Sequence, residues 1–254
     1  MSARATARKP ASQRKPAGNR VHARLAQSIG ERILGGTYAP GALLPNEAEW
    51  GRMFGVSRTA VREAIKTLNG KGLLVSRPKI GSRVEPRGRW NLLDRDVMAW
   101  HCAAMDRRAF LESTQEARKL LEPGIAMLAA RKHTPAQLER LTAALDGMRK
   151  ARSSAAMVGP DVAFHLSLLA CANNDLLAPF GIIIEQALGN LFQYTSKHNP
   201  KPGVVIPLHE GVVKAVAAGD PDAARKAVMY LLNDTDAVIA AVPKRRPARK
   251  LKKA

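Results

Sequence analysis

Residues 44–86 read LPNEAEWGRMFGVSRTAVREAIKTLNGKGLLVSRPKIGSRVEP. Pro45-Asn46-Glu47 opens a short helix, NEAEWGRMF, and Gly55-Val56-Ser57 breaks it. Ser57 can cap a following helix, SRTAVREAIKTLNGKG, which stops at Asn69-Gly70 or Gly72. Two helices joined by a short glycine-containing turn have helix-turn-helix spacing. LLVSR (73–77) and SRVEP (82–86) flank Pro78-Lys79-Ile80-Gly81, which reads as a hairpin. The second helix sorts into faces. Val56, Ala60, Val61, Ala64, Ile65 and Leu68 can pack inward, while Arg58, Arg62 and Lys66 form a basic ridge at i, i+4 and i+8. Arginine at the start of such a helix can bond guanine O6 and N7 in a major groove. The hydroxyls of Ser57 and Thr59, and the backbone amides beside them, suit phosphates. The hairpin tip, with Lys79, Gly81 and Ser82, can approach the adjacent minor groove. A solvated basic face is the competing reading.

Upstream, HARLAQSIGERILGG (22–36) carries Leu25, Ile29, Ile33 and Leu34 at helical spacing and ends on a Gly-Gly stop. Tyr38-Ala-Pro-Gly41 is a turn. Downstream, Pro86-Arg-Gly-Arg89 is a hinge, and no strand pattern follows Trp90. Helices are expected near 92–104, 107–132, 135–152, 160–172, 175–196, 205–218 and 221–241. Breaks fall at Asp106, Thr134-Pro135, Gly159-Pro160, Asn173-Asn174, Asn199-Pro200 through Gly203, and Gly219-Asp220-Pro221. Short connections suggest an antiparallel bundle. The expected fold is mainly α. A winged helix-turn-helix domain spans 21–86, a linker and first helix span 87–104, and an all-helical domain spans 105–241. Disordered tails lie at 1–20 and 242–254.

Charge follows the same division. The 254 residues carry a net +20. Residues 1–20 hold six bases and no acid, 21–90 hold twelve bases and five acids, 91–242 hold sixteen of each, and 243–254 hold seven bases and no acid. A basic module and basic tails beside a neutral module suggest a polyanion binder joined to something else, although tails can serve solubility alone. Apolar residues make up 46% and aromatics only 4%, a balance that favours packed helices. No apolar run has membrane-spanning length, and the N-terminus lacks the apolar core of a secretory signal. Cys102 and Cys171 cannot build a disulfide framework, which fits a reducing cytoplasm. No G-x-S-x-G, Walker, H-E-x-x-H or Rossmann glycine pattern occurs, so an enzyme is not expected; a metal-dependent hydrolase is the remote alternative.

DVAFH (161–165) sets Asp161 and His165 four residues apart, on one helical face within an apolar run. Half of a metal site, a catalytic pair, and a histidine packed in a core are the three readings.

The 44–86 stretch resembles the winged helix-turn-helix of GntR-superfamily bacterial transcription regulators. That resemblance implies double-stranded DNA contacts at Ser57, Arg58, Thr59, Arg62 and the wing around Gly81. The sequence departs at Ala48, where a DNA-contacting arginine is frequent. The helical remainder resembles the FCD ligand-binding domain of the FadR branch, through EARKLLEPGIAMLAARKH (116–133), DVAFHLSLLACANND (161–175) and LHEGVVKAVAAGDPDAARKAV (208–228). Many such domains hold a divalent metal with one Asp and three His. By that pattern Asp161, His165 and His209 are ligands, and the fourth position is Leu231. The site is therefore incomplete for zinc, nickel or manganese, with Asp234 one turn from Leu231. RGRWNLLDRDVMAW (87–100), with the absent histidine, resembles the D-galactonate-responsive repressors of this branch. The implied function is a cytoplasmic, nucleoid-associated homodimeric repressor of sugar-acid catabolism released by an aldonate, or a regulator answering another hydroxycarboxylate. Arg118 is the candidate counter-charge for a carboxylate effector. Glu122 would orient it or bind hydroxyls, unless the two form only a surface i, i+4 pair. Asn173, Asn174, Asn190 and Gln193 are candidates for sugar hydroxyls. Trp90 and Trp100 are expected to pack the linker on the bundle.

Overall fold

The computed structural model describes residues 17–195 and 202–242. Most of both basic tails, the break at Asn199-Pro200 and the side chain of Gln193 lie outside the described residues. The chain divides into two compact units after Asn91.

In the first unit, α1 (Ala17–Leu34) and α2 (Glu47–Phe54) pack on α3 (Arg58–Gly70). α1 begins five residues before the expected start and takes in residues 17–20 of the segment read as a tail. The chain there is free of proline after Pro16, so the helix can extend back to Ala17. A capping box at Asn46 and Glu49 starts α2, and Gly55 ends it in the left-handed region at φ 63°. Ser57 caps α3 by accepting from the Ala60 N–H. Val61, Ala64 and Leu68 are buried on the inward face of α3, with Val56, Ala60 and Ile65 half-buried beside them. They close on Leu25, Ile29, Ile33 and Trp50. Trp50 is fully buried against Tyr38 and Phe54, and truncating such a ring costs about 3–5 kcal/mol.

β1 (Leu74–Arg77) and β2 (Gly81–Val84) are antiparallel, with Leu74 opposite Val84 and Arg77 opposite Gly81. Lys79 (φ 64°) and Gly81 (φ 96°) carry the reversal. The segment after the Tyr38–Gly41 turn adds a short third edge that the sequence did not announce. Val84 N–H donates to the Ala42 carbonyl, and Gly41 and Leu44 donate to the Val84 and Ser82 carbonyls. Residues 87–89 form a 3-10 turn. Trp90 Nε1 donates to the Glu85 carbonyl at 2.9 Å, and the Asn91 N–H donates to Lys71. A Cβ on Gly72 (φ 73°) would meet the Arg89 carbonyl oxygen at 2.4 Å, so this return needs glycine. Trp90 falls within the first unit.

The second unit comprises α4 (Arg95–Ala104), α5 (Arg107–Lys132), α6 (Pro135–Lys150), α7 (Ser154–Cys171), α8 (Gly181–Thr195), α9 (Pro202–Ala217) and α10 (Pro221–Ala240). The main contacts pair α5 with α10, α6 with α7, and α9 with α10. α4 lies on α8, with Trp100 buried and Arg95 bonded to Glu185 at 2.7 Å. Thr134 and Gln137 form the capping box that starts α6 at Pro135. Three expected boundaries move. α7 starts at Ser154, capped by Ser153, and runs through Gly159-Pro160 without a break. α6 has Gly147 opposite, where a Cβ would stand 3.3 Å from the Pro160 ring, so a close helix contact accompanies the lost backbone bond. α8 begins only after a 3-10 turn over Ala178–Phe180, and α9 begins upstream of residue 205. α7 also has the length and mean hydropathy (1.3) of a membrane span, contrary to the sequence reading. It is a core helix, its Phe164 and Leu168 buried in the bundle. Burial pushes the Cys102 thiol up to about 11 against the opposing charge of Arg107, and raises that of Cys171, so neither is primed as a nucleophile.

Candidate functional site

The basic face of α3 stands in solvent. Arg58 and Thr59 lie exposed in its first turn, with Lys66 exposed two turns on. Arg62 is exposed too, but its Nε is 2.9 and 3.1 Å from the two carboxylate oxygens of Glu47 in the first turn of α2. Glu47 is a residue that sequence reasoning missed, because the pair spans fifteen positions and two helices. Ser57 accepts from a backbone amide, which leaves its O–H able to donate. At the wing, Lys79 and Gly81 are exposed at the tip. Ser82 is half-buried, with its hydroxyl 2.8 Å from that of Ser76, which in turn bonds Asn69. Its hydroxyl is engaged inside the wing.

Five charged or titratable side chains meet in the bundle, each between 1% and 4% exposed: Arg118 and Glu122 from α5, Asp161 and His165 from α7, and His209 from α9. The Arg118–Glu122 pair has the i, i+4 spacing of a surface bridge, yet both partners are buried, with Nε to Oε1 at 2.6 Å. His165 Nδ1 is 2.8 Å from Glu122 Oε2, so that nitrogen carries the proton and donates. Nε2 is then the acceptor, and Arg118 Nη2 lies 3.4 Å from it. Burial alone would raise the Glu122 carboxyl, but Arg118 and His165 outweigh it and hold Glu122 down to about 2. Burial likewise raises Asp161, and the His209 ring beside it, with the charges of His165, His209 and Arg118, reverses the direction to a lowered value.

His209 Nδ1 donates to the Val205 carbonyl at 2.8 Å. Its Nε2 points at Asp161 Oδ1 from 3.1 Å, but out of line for a hydrogen bond, and is otherwise unpartnered. A lone-pair nitrogen facing a carboxylate oxygen calls for positive charge between or upon them, either a proton on Nε2 or a cation. The ligating atoms of Asp161, His165 and His209 lie within 4.8 Å of one another. One carboxylate and two imidazoles suit zinc, nickel or manganese, so these residues fit a divalent ion. The Phe164 ring packs edge-on to both histidines, at 4.7 Å from His209 and 5.6 Å from His165. Leu231 is buried in the apolar core and offers no ligand.

The asparagines are employed elsewhere. Asn173 is exposed at φ 45°, donates to the Lys132 carbonyl at 2.6 Å and accepts from Gln137, pinning the end of α7. The structure does not bring it to the cluster. Asn174 caps a turn, and Asn190 bonds back to Gln186. Sequence reasoning also missed Gln115, whose buried amide donates to the Leu232 carbonyl and to Asp236 across the α5–α10 contact.

Residues 22–84 match the family described as bacterial regulatory proteins, gntR family, and residues 113–234 match the FCD domain. The chain is 34% identical to the uncharacterized HTH-type transcriptional regulator YieP of Escherichia coli over 215 residues, covering 84% of this chain and 92% of that protein. It is 29% identical to the galactonate operon transcriptional repressor of E. coli, covering 82% and 92%. Among solved structures, Lar, which controls expression of the Listeria monocytogenes agr system, has the same fold (TM-score 0.54, 18% identity, covering 90% of this chain and 99% of that one). The two-helix reader and its wing lie within the first match, and the five residues of the buried polar cluster within the second. The chain belongs to the gntR family of bacterial regulatory proteins: it is a cytoplasmic DNA-binding transcription regulator, not an enzyme, with an FCD domain as its effector-binding half.

Proposed function

We propose that this regulator is a homodimeric repressor of sugar-acid catabolism genes, released when an aldonate such as D-galactonate enters the buried cluster of the bundle. The observation that carries the reading is the convergence of Arg118, Asp161, His165 and His209 at almost no exposure, a cost the fold bears without any catalytic pattern to use it. Arg118 would take the effector carboxylate, and Asp161, His165 and His209 would hold a divalent ion whose remaining positions accept carboxylate and hydroxyl oxygens. When bound, the ion supplies a Lewis-acidic anchor for those oxygens. The likeness to the galactonate operon repressor favours a sugar acid. Another hydroxycarboxylate presenting the same oxygens is the second reading. On DNA, Arg58 and Arg62 would read bases, Ser57, Thr59 and Lys79 would hold phosphates, and Gly81 would bring the wing backbone close. Two heads related by a twofold would read a palindromic operator and keep the protein on the nucleoid. Effector changes DNA affinity only by its differential affinity for two arrangements of the dimer. A thermal-shift panel of aldonates and shorter hydroxy acids, paired with operator gel shifts, tests this. The expected result is one acid that both raises Tm and releases operator. A panel in which no acid does either would sink the reading.

A further inference from the structure

Every helix that supplies the buried cluster carries a proline inside it: Pro123 in α5, Pro160 in α7 and Pro207 in α9. The other described helices of the second unit have none beyond their first turn. Each of the three prolines also falls within two residues of a cluster side chain. Pro123 follows Glu122, Pro160 precedes Asp161, and Pro207 stands two before His209. A proline inside a helix withdraws one N–H, clashes with the carbonyl four residues back, and leaves the rod able to bend there. That is the costliest single placement in a helix, and here it recurs three times around one cluster. Away from the prolines the same helices are tied down. Before Pro123, α5 is held to α10 by the Gln115 amide on the Leu232 carbonyl at 2.7 Å and by the Lys119–Asp236 ion pair. Beyond Pro160, α7 is held to α6 by Gln137, which donates to the Ala170 carbonyl at 3.0 Å. Beyond Pro207, Glu210 of α9 bonds Arg149 of α6 at 2.7 Å.

We propose that Pro123, Pro160 and Pro207 are the hinges of the regulator. They let the helix segments that bear the cluster tilt against one another, so that filling the cluster changes the bend of α5, α7 and α9, and that change of bend is what alters DNA affinity. The inference rests on the proposed effector site and says how its occupation is transmitted. A close-packed interior confines a side-chain rearrangement to its neighbours, whereas a hinged rod carries a small rotation along its whole length. α10 runs for 20 residues with no internal proline, packs on both α5 and α9, and takes up their motion.

Hydrogen exchange on the full-length protein tests the hinges, with zinc and D-galactonate as probes after chelator dialysis and calorimetry to score their binding. In chelator, peptides covering 119–127, 156–164 and 203–211 should exchange about tenfold faster or more than peptides from the middle of α6 and α10. Bound probes should slow all three together. Pro123→Ala, Pro160→Ala and Pro207→Ala each restore a backbone N–H, so each should slow its own peptide in chelator. Each should also cut, by about tenfold, the factor by which the bound probes shift affinity for an operator duplex that the wild-type protein selects from a random pool; such factors typically run from about 5 to about 150. Prolines that serve packing alone would lower Tm on substitution and leave that factor unchanged. That result in all three variants overturns the inference, as do probes that bind without slowing the three segments, and the effector site stands in either case. If neither probe nor any acid of the thermal-shift panel binds, the proposed function falls and the hinges with it. Should a variant fail to fold, exchange in the wild-type protein with and without the probes decides alone.

Discussion

Arg118→Met tests the cluster through stability, without any ligand. Methionine keeps the apolar stem and removes the charge, leaving Glu122 buried with only His165 beside it. The Glu122 carboxyl, held at about 2 against an ordinary 4.5, represents about 3 kcal/mol of native-state preference for its ionised form. Breaking one side of a buried pair costs about 3–5 kcal/mol in general, which agrees with that figure. The sign follows from the lowered pKa. The contribution is fully present above pH 4.5, fades as pH falls toward 2, and is gone below that, where Glu122 is protonated in folded and unfolded chains alike. Urea unfolding of the full chain in chelator, followed by helical circular dichroism, should therefore show a deficit of about 3 kcal/mol at neutral pH that closes on acidification. The double variant Arg118→Met with Glu122→Leu should recover more than half of it, because the Glu122 charge is removed together with its partner. A single-variant deficit under about 1 kcal/mol at pH 7, or one that widens toward pH 3, would refute the account of a tightly coupled buried pair.

Arg58→Ala should lose operator specificity in gel-shift titrations while keeping native helicity, at a cost of about 1–3 kcal/mol for a lost guanine contact; retained specificity would remove α3 from the role of reader. Leu231→His should tighten zinc binding in calorimetry, and a folded variant that gains no metal affinity would show that residue 231 does not belong to the site of Asp161, His165 and His209. Removing residues 1–20 and 243–254 should flatten the dependence of log affinity on log salt without altering sequence preference, and an unchanged slope would mean that those bases do not touch DNA.

The sequence alone determined what depends on neighbours within a few turns. Thr134-Pro135 and Gly219-Asp220-Pro221 mark helix starts through capping and a missing N–H, and α6 and α10 begin at Pro135 and Pro221 as read. The Val61, Ala64, Leu68 face of α3 follows from a period of 3.6 residues, and the Asp161–His165 pairing from a spacing of four. Tertiary structure decided everything that depends on what stands opposite. Pro160 was read as a break, but a capped Ser153 upstream and a close contact with α6 at Gly147 keep one helix running through it. The i, i+4 spacing of Arg118 and Glu122 fits a surface bridge equally well; only packing against α7 makes it a buried network with His165. Asn173, near His165 in the chain, is turned to the Lys132 carbonyl at the end of the bundle, while His209, far away in sequence, faces Asp161. Local periodicity says which face of a helix is apolar, but not which helix will cover it. A site assembled from three helices is therefore settled by the packing.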